Sequence, residues 1–184
     1  ESLFFREDFV RAEIEETGNI SFPFGGFDTY VDGFVKSVDT KAIRNRAFNV
    51  VIDYSYGASA LIFPRILGQL GVETVALNAM LNPDKITRSQ EEFEKGLHHL
   101  SAIARSLSAD FGVMVDTGGE KIFLVDEKGD VLPDWVALQI IALLVCRQSR
   151  KGLVGVPVTA SRNIEAMDRG GTRGIDLRSI RRGA

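Results

Sequence analysis

Asp116, Glu120 and Lys121 share one short turn, and apolar runs flank it on both sides, Phe111 to Val115 before and Ile122 to Val125 after. The segment reads as strand, acidic turn, strand. Carboxylate oxygens are the hard donors that magnesium takes into its near-octahedral shell. Alternating acids separated by glycine can aim several carboxylates at one point. Here Gly118 stands between the two acids and offers no side-chain oxygen. Glu120 is one methylene longer than aspartate, so holding it in place costs more rotamer freedom. Asp116 and Glu120 therefore make a weak magnesium pair, one that a phosphate on a substrate would help to complete. The competing reading is that Asp116-Thr117-Gly118-Gly119 is a glycine-rich turn that holds no metal. The low ligand count favours the turn.

Other residues with chemical potential carry less. His98 and His99 are the only histidines. Adjacent helical positions point about 100° apart, so the pair cannot chelate one ion. No Gly-x-Ser-x-Gly elbow accompanies the serines, which leaves no hydrolase triad. Gly57 follows a strand and precedes a helical run, so the amides of Ala58 to Ala60 are candidates for an anion. A lone glycine without a phosphate-loop pattern more often just leaves the sheet. Asp53 ends a strand on the same edge as Asp116. Ligands of open α/β sheets collect at the carboxyl ends of strands, so the two aspartates are candidates for one cleft.

The elements that position these residues are readable from pattern. Tyr30 to Ile43 has helical spacing at Val31, Phe34, Val35 and Val38. Phe48 to Asp53 is a buried strand. Ala58 to Leu70 reads as a helix that Pro64 kinks or shortens. Val72 to Leu77 is a second strand, followed by a polar loop from Asn78 to Arg88. Ser89 and Glu92 form a capping box, and Phe93, Leu97, Leu100, Ala104 and Leu107 mark one face of the helix it opens. Phe111 to Val115 is the third strand. Right-handed crossovers make these three parallel. Only Asp116 to Lys121 separates the third strand from Ile122–Val125, and a parallel return needs a dozen residues or more. The fourth strand must run antiparallel. The expected fold is thus α/β, a mixed four-stranded sheet between helices over residues 29–130. Residues 1–28 read as the tail of a preceding domain with a linker at Ser21 to Gly26. Beyond Asp130, Pro133 to Gln148 reads as a helix, Leu153 to Val158 as a strand, and Ser161 as the cap of a helix from Arg162 to Arg169. Residues 131–184 hold too few elements for a second core and read as an incomplete further domain.

Composition is that of a globular protein, 45% hydrophobic and 26% charged. The longest apolar stretch, Trp135 to Cys146, is too short for the ~20 residues of a membrane span. Cys146 is the sole cysteine. It reads as a small buried hydrophobe, and with no possible internal disulfide the chain fits a reducing, cytoplasmic compartment. Net charge is −3. Arg147 to Ala184 is strongly basic, but no nucleic-acid motif accompanies it, so a charged solvent face is the simpler reading. Neither nucleic acid nor membrane is an expected partner. Glu1 is not an initiator methionine, so the chain is expected to begin inside a longer protein.

The stretch from Ala109 to Asp130 resembles the metal-binding loop of the α-D-phosphohexomutases, whose pattern runs AD-x-G-x-x-x-DGDADR-x-x-x-VDE-x-G. The frame matches, but the chain has Asp116, Gly118, Glu120 and Lys121 where that family places three aspartates and an arginine. Phe48 to Ala58 is similar to the opening of the family's middle domain, and Val156 to Ser161 to the opening of its third. The resemblance implies that Lys121 contacts a substrate phosphate and that Asp116 and Glu120 are a degenerate metal pair. The family's phosphoserine loop, its GE-x-x-G sugar motif and its phosphate clamp have no match in the chain, so no catalytic residue is assigned. Phe4 to Phe9, Asp53-Tyr54 and Val156 to Ser161 are most similar to mutase-like regions fused behind a sugar-nucleotide pyrophosphorylase, as in mannose-1-phosphate guanylyltransferases. That implies a non-catalytic module of sugar-nucleotide metabolism. Its partners would be a nucleotidyltransferase domain and further mutase domains of its own polypeptide, with a sugar phosphate or a second copy also in play. The alternative it implies is the metal-binding part of an active phosphohexomutase.

Overall fold

A computed structural model describes residues 5–7, 11, 13–148, 152–157 and 175–180. Helices α1 (Gly26–Ser37) and α2 (Thr40–Arg46) lead into strand β1 (Asn49–Asp53). A 3₁₀ turn, Ala58–Leu61, and helix α3 (Phe63–Gln69) connect to β2 (Glu73–Leu77). Helix α4 (Gln90–Ser106) then precedes β3 (Phe111–Val115), and β4 (Ile122–Val125) follows directly. Strand order is β2-β1-β3-β4. β1 is parallel to β2 and to β3, whereas β4 is antiparallel to β3, with Val115 opposite Ile122. The mixed sheet is therefore the one expected from the short β3–β4 connection.

Two expectations are corrected. The helical pattern from Tyr30 to Ile43 is broken at Val38, because Asp39 caps a new helix by accepting the Ala42 N–H at 2.9 Å. The run from Ala58 to Leu70 is likewise divided. Proline lacks an N–H and fits only a first turn, and Pro64 stands in the first turn of α3, behind the 3₁₀ segment.

The pleat sorts the sheet's side chains onto two faces. Val51 and Met114 meet Leu100 and Ala104 of α4 on one face. Gly112 makes that approach close, since a Cβ there would lie 3.3 Å from the Leu100 side chain. On the other face Val50, Ile52 and Tyr54 meet Phe63 and Leu67 of α3. Helix α1 packs behind α3 through Val31, Ile66 and Leu70, each at most 4% exposed. Among the described residues, the β3 half of this second face borders an apolar cavity of about 260 Å³, with Phe111, Val113, Val115 and Ile122 in its wall.

Helix α5 (Asp134–Gln148) follows β4, with Trp135, Ile140, Ile141 and Leu144 exposed. Strands β5 (Gly152–Pro157) and β6 (Ile175–Ile180) pair in parallel. The expected helix from Arg162 to Arg169, with its cap at Ser161, lies outside the described residues, as does Val158. No helix among the described residues is long and apolar enough to cross a membrane.

Candidate functional site

The chain leaves β1 toward β2 on one side, then crosses back past β1 to form β3 on the other. The boundary between β1 and β3 is the switch point at which open α/β sheets bind ligands. Three loops meet at its carboxyl end.

The first two loops are organised by Asp53, which is 2% exposed. A buried carboxylate needs donors, and Asp53 has them. Its Oδ1 accepts the Ser55 N–H at 2.7 Å, and its Oδ2 accepts from Asn78 Nδ2 at 2.8 Å. Ser55, Tyr56 and Asn78 all take left-handed backbone, with φ of 51°, 59° and 49°. Asparagine tolerates that region, but serine and tyrosine need the surroundings to impose it. The Tyr56 N–H donates to the Asn78 carbonyl at 3.1 Å, which ties the two loops together. Asp53 is thus an internal strut. It does not line a shared cleft with Asp116; Ser55 reaches that cleft in its place.

The third loop is the acidic turn. Asp116 Oδ1 accepts the N–H of Glu120 at 2.7 Å and of Lys121 at 3.0 Å. Its backbone N–H donates to the Lys121 carbonyl, and the Gly119 N–H donates back to the Asp116 carbonyl. Gly119 has φ 74°, a conformation that glycine takes at no steric cost. Thr117 lies against Gly57, where a Cβ would come within 2.6 Å of the Thr117 carbonyl oxygen. That contact explains Gly57. The segment after it is a four-residue 3₁₀ turn, so no α-helix N-terminus stands there to hold an anion.

Two open cavities border this edge. The one beside the turn, about 260 Å³, has Asp116, Thr117, Ser55 and Arg88 in its wall and Phe93, Met114 and Phe123 as its apolar floor. Glu120 and Lys121 are exposed and stand outside that wall. The second cavity, about 330 Å³, lies between Tyr56, Asn78, Lys85, Arg88 and His99. Arg88 borders both. Pattern reading missed Tyr56, Lys85 and Arg88. The available signal was two basic residues in the loop between a strand's carboxyl end and the Ser89 cap. His98 and His99 are exposed on α4.

The turn fits a tightly held magnesium ion poorly. One oxygen of Asp116 already accepts two backbone N–H groups, Gly118 contributes no donor, and Glu120 is exposed. Among the described residues no three His, Cys, Asp or Glu side chains are grouped to hold a metal.

A sheet of this order, with its acidic turn at the switch point, defines an α/β domain whose candidate site lies at the carboxyl ends of β1 and β3. Residues 28–129 match the family described as phosphoglucomutase/phosphomannomutase, alpha/beta/alpha domain II, and the chain belongs to that family. It is 32% identical over 161 residues to a "Phosphoglucomutase/phosphomannomutase" of Thermococcus kodakarensis, covering 88% of this chain and 35% of that protein. It is 28% identical to a "Phosphoglucosamine mutase" of Bartonella bacilliformis, covering 83% of this chain and 33% of the relative. The fold superposes on a solved phosphoglucomutase/phosphomannomutase family protein from Burkholderia thailandensis with a TM-score of 0.71 at 20% identity, over 85% of this chain and 33% of that one. The chain thus spans about a third of the length of these relatives.

Proposed function

We propose that this chain is the middle part of a sugar-phosphate mutase-like protein of carbohydrate metabolism, and that its acidic turn does not carry a magnesium-dependent phosphoryl transfer. The observation that supports this is the donor set. Magnesium keeps several of its waters and is held by well-placed carboxylates together with substrate phosphate oxygens; here Oδ1 of Asp116 is taken by two backbone N–H groups, and Glu120 is exposed outside the cavity wall. On the sequence resemblance, the module is joined to a nucleotidyltransferase, which it scaffolds or regulates in the cytoplasm. The second reading, a metal-holding part of an active mutase, is favoured by the 32% identity to a protein so named.

Magnesium titration calorimetry separates the two. A Cβ at Gly118 would meet only Glu120 Cγ, at 3.8 Å, so an aspartate fits there. The Gly118→Asp/Glu120→Asp variant restores three carboxylates to the turn. Its magnesium affinity should exceed that of the unaltered chain by about tenfold or more. Equal affinity would overturn the non-catalytic reading in favour of the metal-holding one. A coupled assay for interconversion of hexose 1-phosphate and 6-phosphate by the chain alone, with a sugar bisphosphate primer, should show no turnover.

A further inference from the structure

We infer that Arg88 and Lys85, gathered on the ring of Tyr56, form a binding site for a phosphoryl anion that does not depend on a metal in the acidic turn. The Arg88 guanidinium carbon lies 5.4 Å from the centre of the Tyr56 ring, and Lys85 Nζ lies 4.9 Å from it. Two cations share one aromatic surface, and each is drawn to the ring face. Like charges brought together repel unless an anion joins them.

What stands out is how little else these cations touch. Among the described residues no carboxylate lies within 4 Å of either, and Arg88 donates no hydrogen bond. Lys85 donates only to the Tyr56 hydroxyl, at 3.4 Å. A guanidinium presents a rigid fork of N–H donors that matches the oxygens of a phosphoryl group. Arg88 is half-buried and borders both cavities of the site edge. Its position is constrained from the helix side as well. A Cβ at Gly96 would lie 3.5 Å from Arg88 Nη1, ordinary contact distance, so the guanidinium rests close to the α4 backbone.

The larger cavity holds other charges beside the pair, but none within ion-pair distance of either cation among the described residues. Lys95 stands in its wall and is matched by Glu91 at 2.6 Å. Glu92 also borders it; its carboxylate accepts the Ser89 N–H at 2.8 Å in the helix cap and feels the Arg88 charge without forming an ion pair with it. Asp84 and Glu92 are thus the two acids that a phosphoryl anion must displace as counter-charges, with His99 as a further donor. The platform itself is held by the Asp53 network, which fixes Tyr56 in its left-handed backbone.

The test is calorimetric titration of the 184-residue chain with inorganic phosphate, glucose 6-phosphate and glucose, at constant ionic strength set with chloride. Saturable binding of inorganic phosphate is expected, and glucose should not bind. Arg88→Ala should weaken phosphate binding by about tenfold or more, because the fork is removed, and Arg88→Lys should restore only part of it. Lys85→Gln should weaken it too, by a smaller factor. Glucose 6-phosphate binding as tightly as phosphate supports a sugar phosphate as the source, and its exclusion supports the free anion. Gly118→Asp/Glu120→Asp should leave phosphate binding without magnesium within about twofold, which separates this site from the turn. No saturation by tens of millimolar phosphate, or an Arg88→Ala variant that binds like the unaltered chain, would overturn the inference.

Discussion

Replacing Gly57 by alanine adds one methyl group at the point where the β1 exit touches the acidic turn. The new Cβ would lie 2.6 Å from the Thr117 carbonyl oxygen, 2.8 Å from its Cα and 3.0 Å from its carbonyl carbon, all backbone atoms. Ordinary contact begins near 3.4 Å, so one loop must retreat by about 0.8 Å. Neither is free to do so. The turn is braced by Asp116 through two N–H bonds, and the β1 exit is braced by Asp53 through Ser55 and Asn78. Backbone preference does not oppose alanine here, since Gly57 has φ −87° and ψ 172°. Alanine also restricts the unfolded chain, which works in its favour by about 0.4–1 kcal/mol. Overpacking of a braced site costs about 1–3 kcal/mol, so the net expectation is a loss of about 1–2 kcal/mol.

Urea denaturation followed by circular dichroism measures this, with an unchanged slope required for the comparison. Gly118→Ala is the matched control. It adds the same methyl to the same turn, at negative φ, with the nearest atom 3.8 Å away. Its stability should stay within about 0.5 kcal/mol of the parent. If Gly57→Ala is as stable as Gly118→Ala, the two loops do not meet as described and the site edge is built otherwise.

Two further outcomes follow from titratable groups at opposite ends of β1. Tyr54 is 1% exposed and its hydroxyl has no hydrogen-bond partner among the described residues, so Tyr54→Phe should raise stability by about 1 kcal/mol. Burial pushes the Tyr54 phenol up to about 12. The folded state therefore holds this proton more firmly, and that stability, present below pH ~10, is lost as pH rises from there through about 12; alkaline unfolding curves of the phenylalanine variant should lack the corresponding slope. At the amino end, the Asn49 N–H and the Arg46 guanidinium hold the Asp110 carboxyl below the usual carboxylate range. Its contribution is present above the ordinary carboxylate pKa and lost as pH falls through the lower folded value, so Asp110→Ala should lower the melting temperature at pH 7 and flatten its decline in acid. A variant that melts with the parent at neutral pH would show that Asp110 does not anchor β1 to β3.

The sheet was legible because its signals are local in the chain. Six residues between Phe111–Val115 and Ile122–Val125 dictate an antiparallel return, and Ser89 with Glu92 announces α4 in four letters. The break at Asp39 was equally local but was masked by apolar spacing that continues through it. β6 was missed because Asp176 and Arg178 alternate with its apolar residues inside a basic segment that reads as solvated. The site fared worse for a different reason. Acids spaced along one turn can be read from the sequence, and Asp116 does stand at the cleft. Tyr56, Lys85 and Arg88 come from loops that follow different strands, and their meeting depends on left-handed backbone at Ser55 and Tyr56. Those residue types do not announce such a conformation. The residue that imposes it is Asp53, whose place at a strand end had suggested a ligand. Its burial reverses that reading: with Oδ1 on Ser55 and Oδ2 on Asn78, the carboxylate shapes the platform on which Arg88 and Lys85 lie. The acid that looked chemical is structural, and the arginine at the end of a polar loop has donors that no hydrogen bond among the described residues uses.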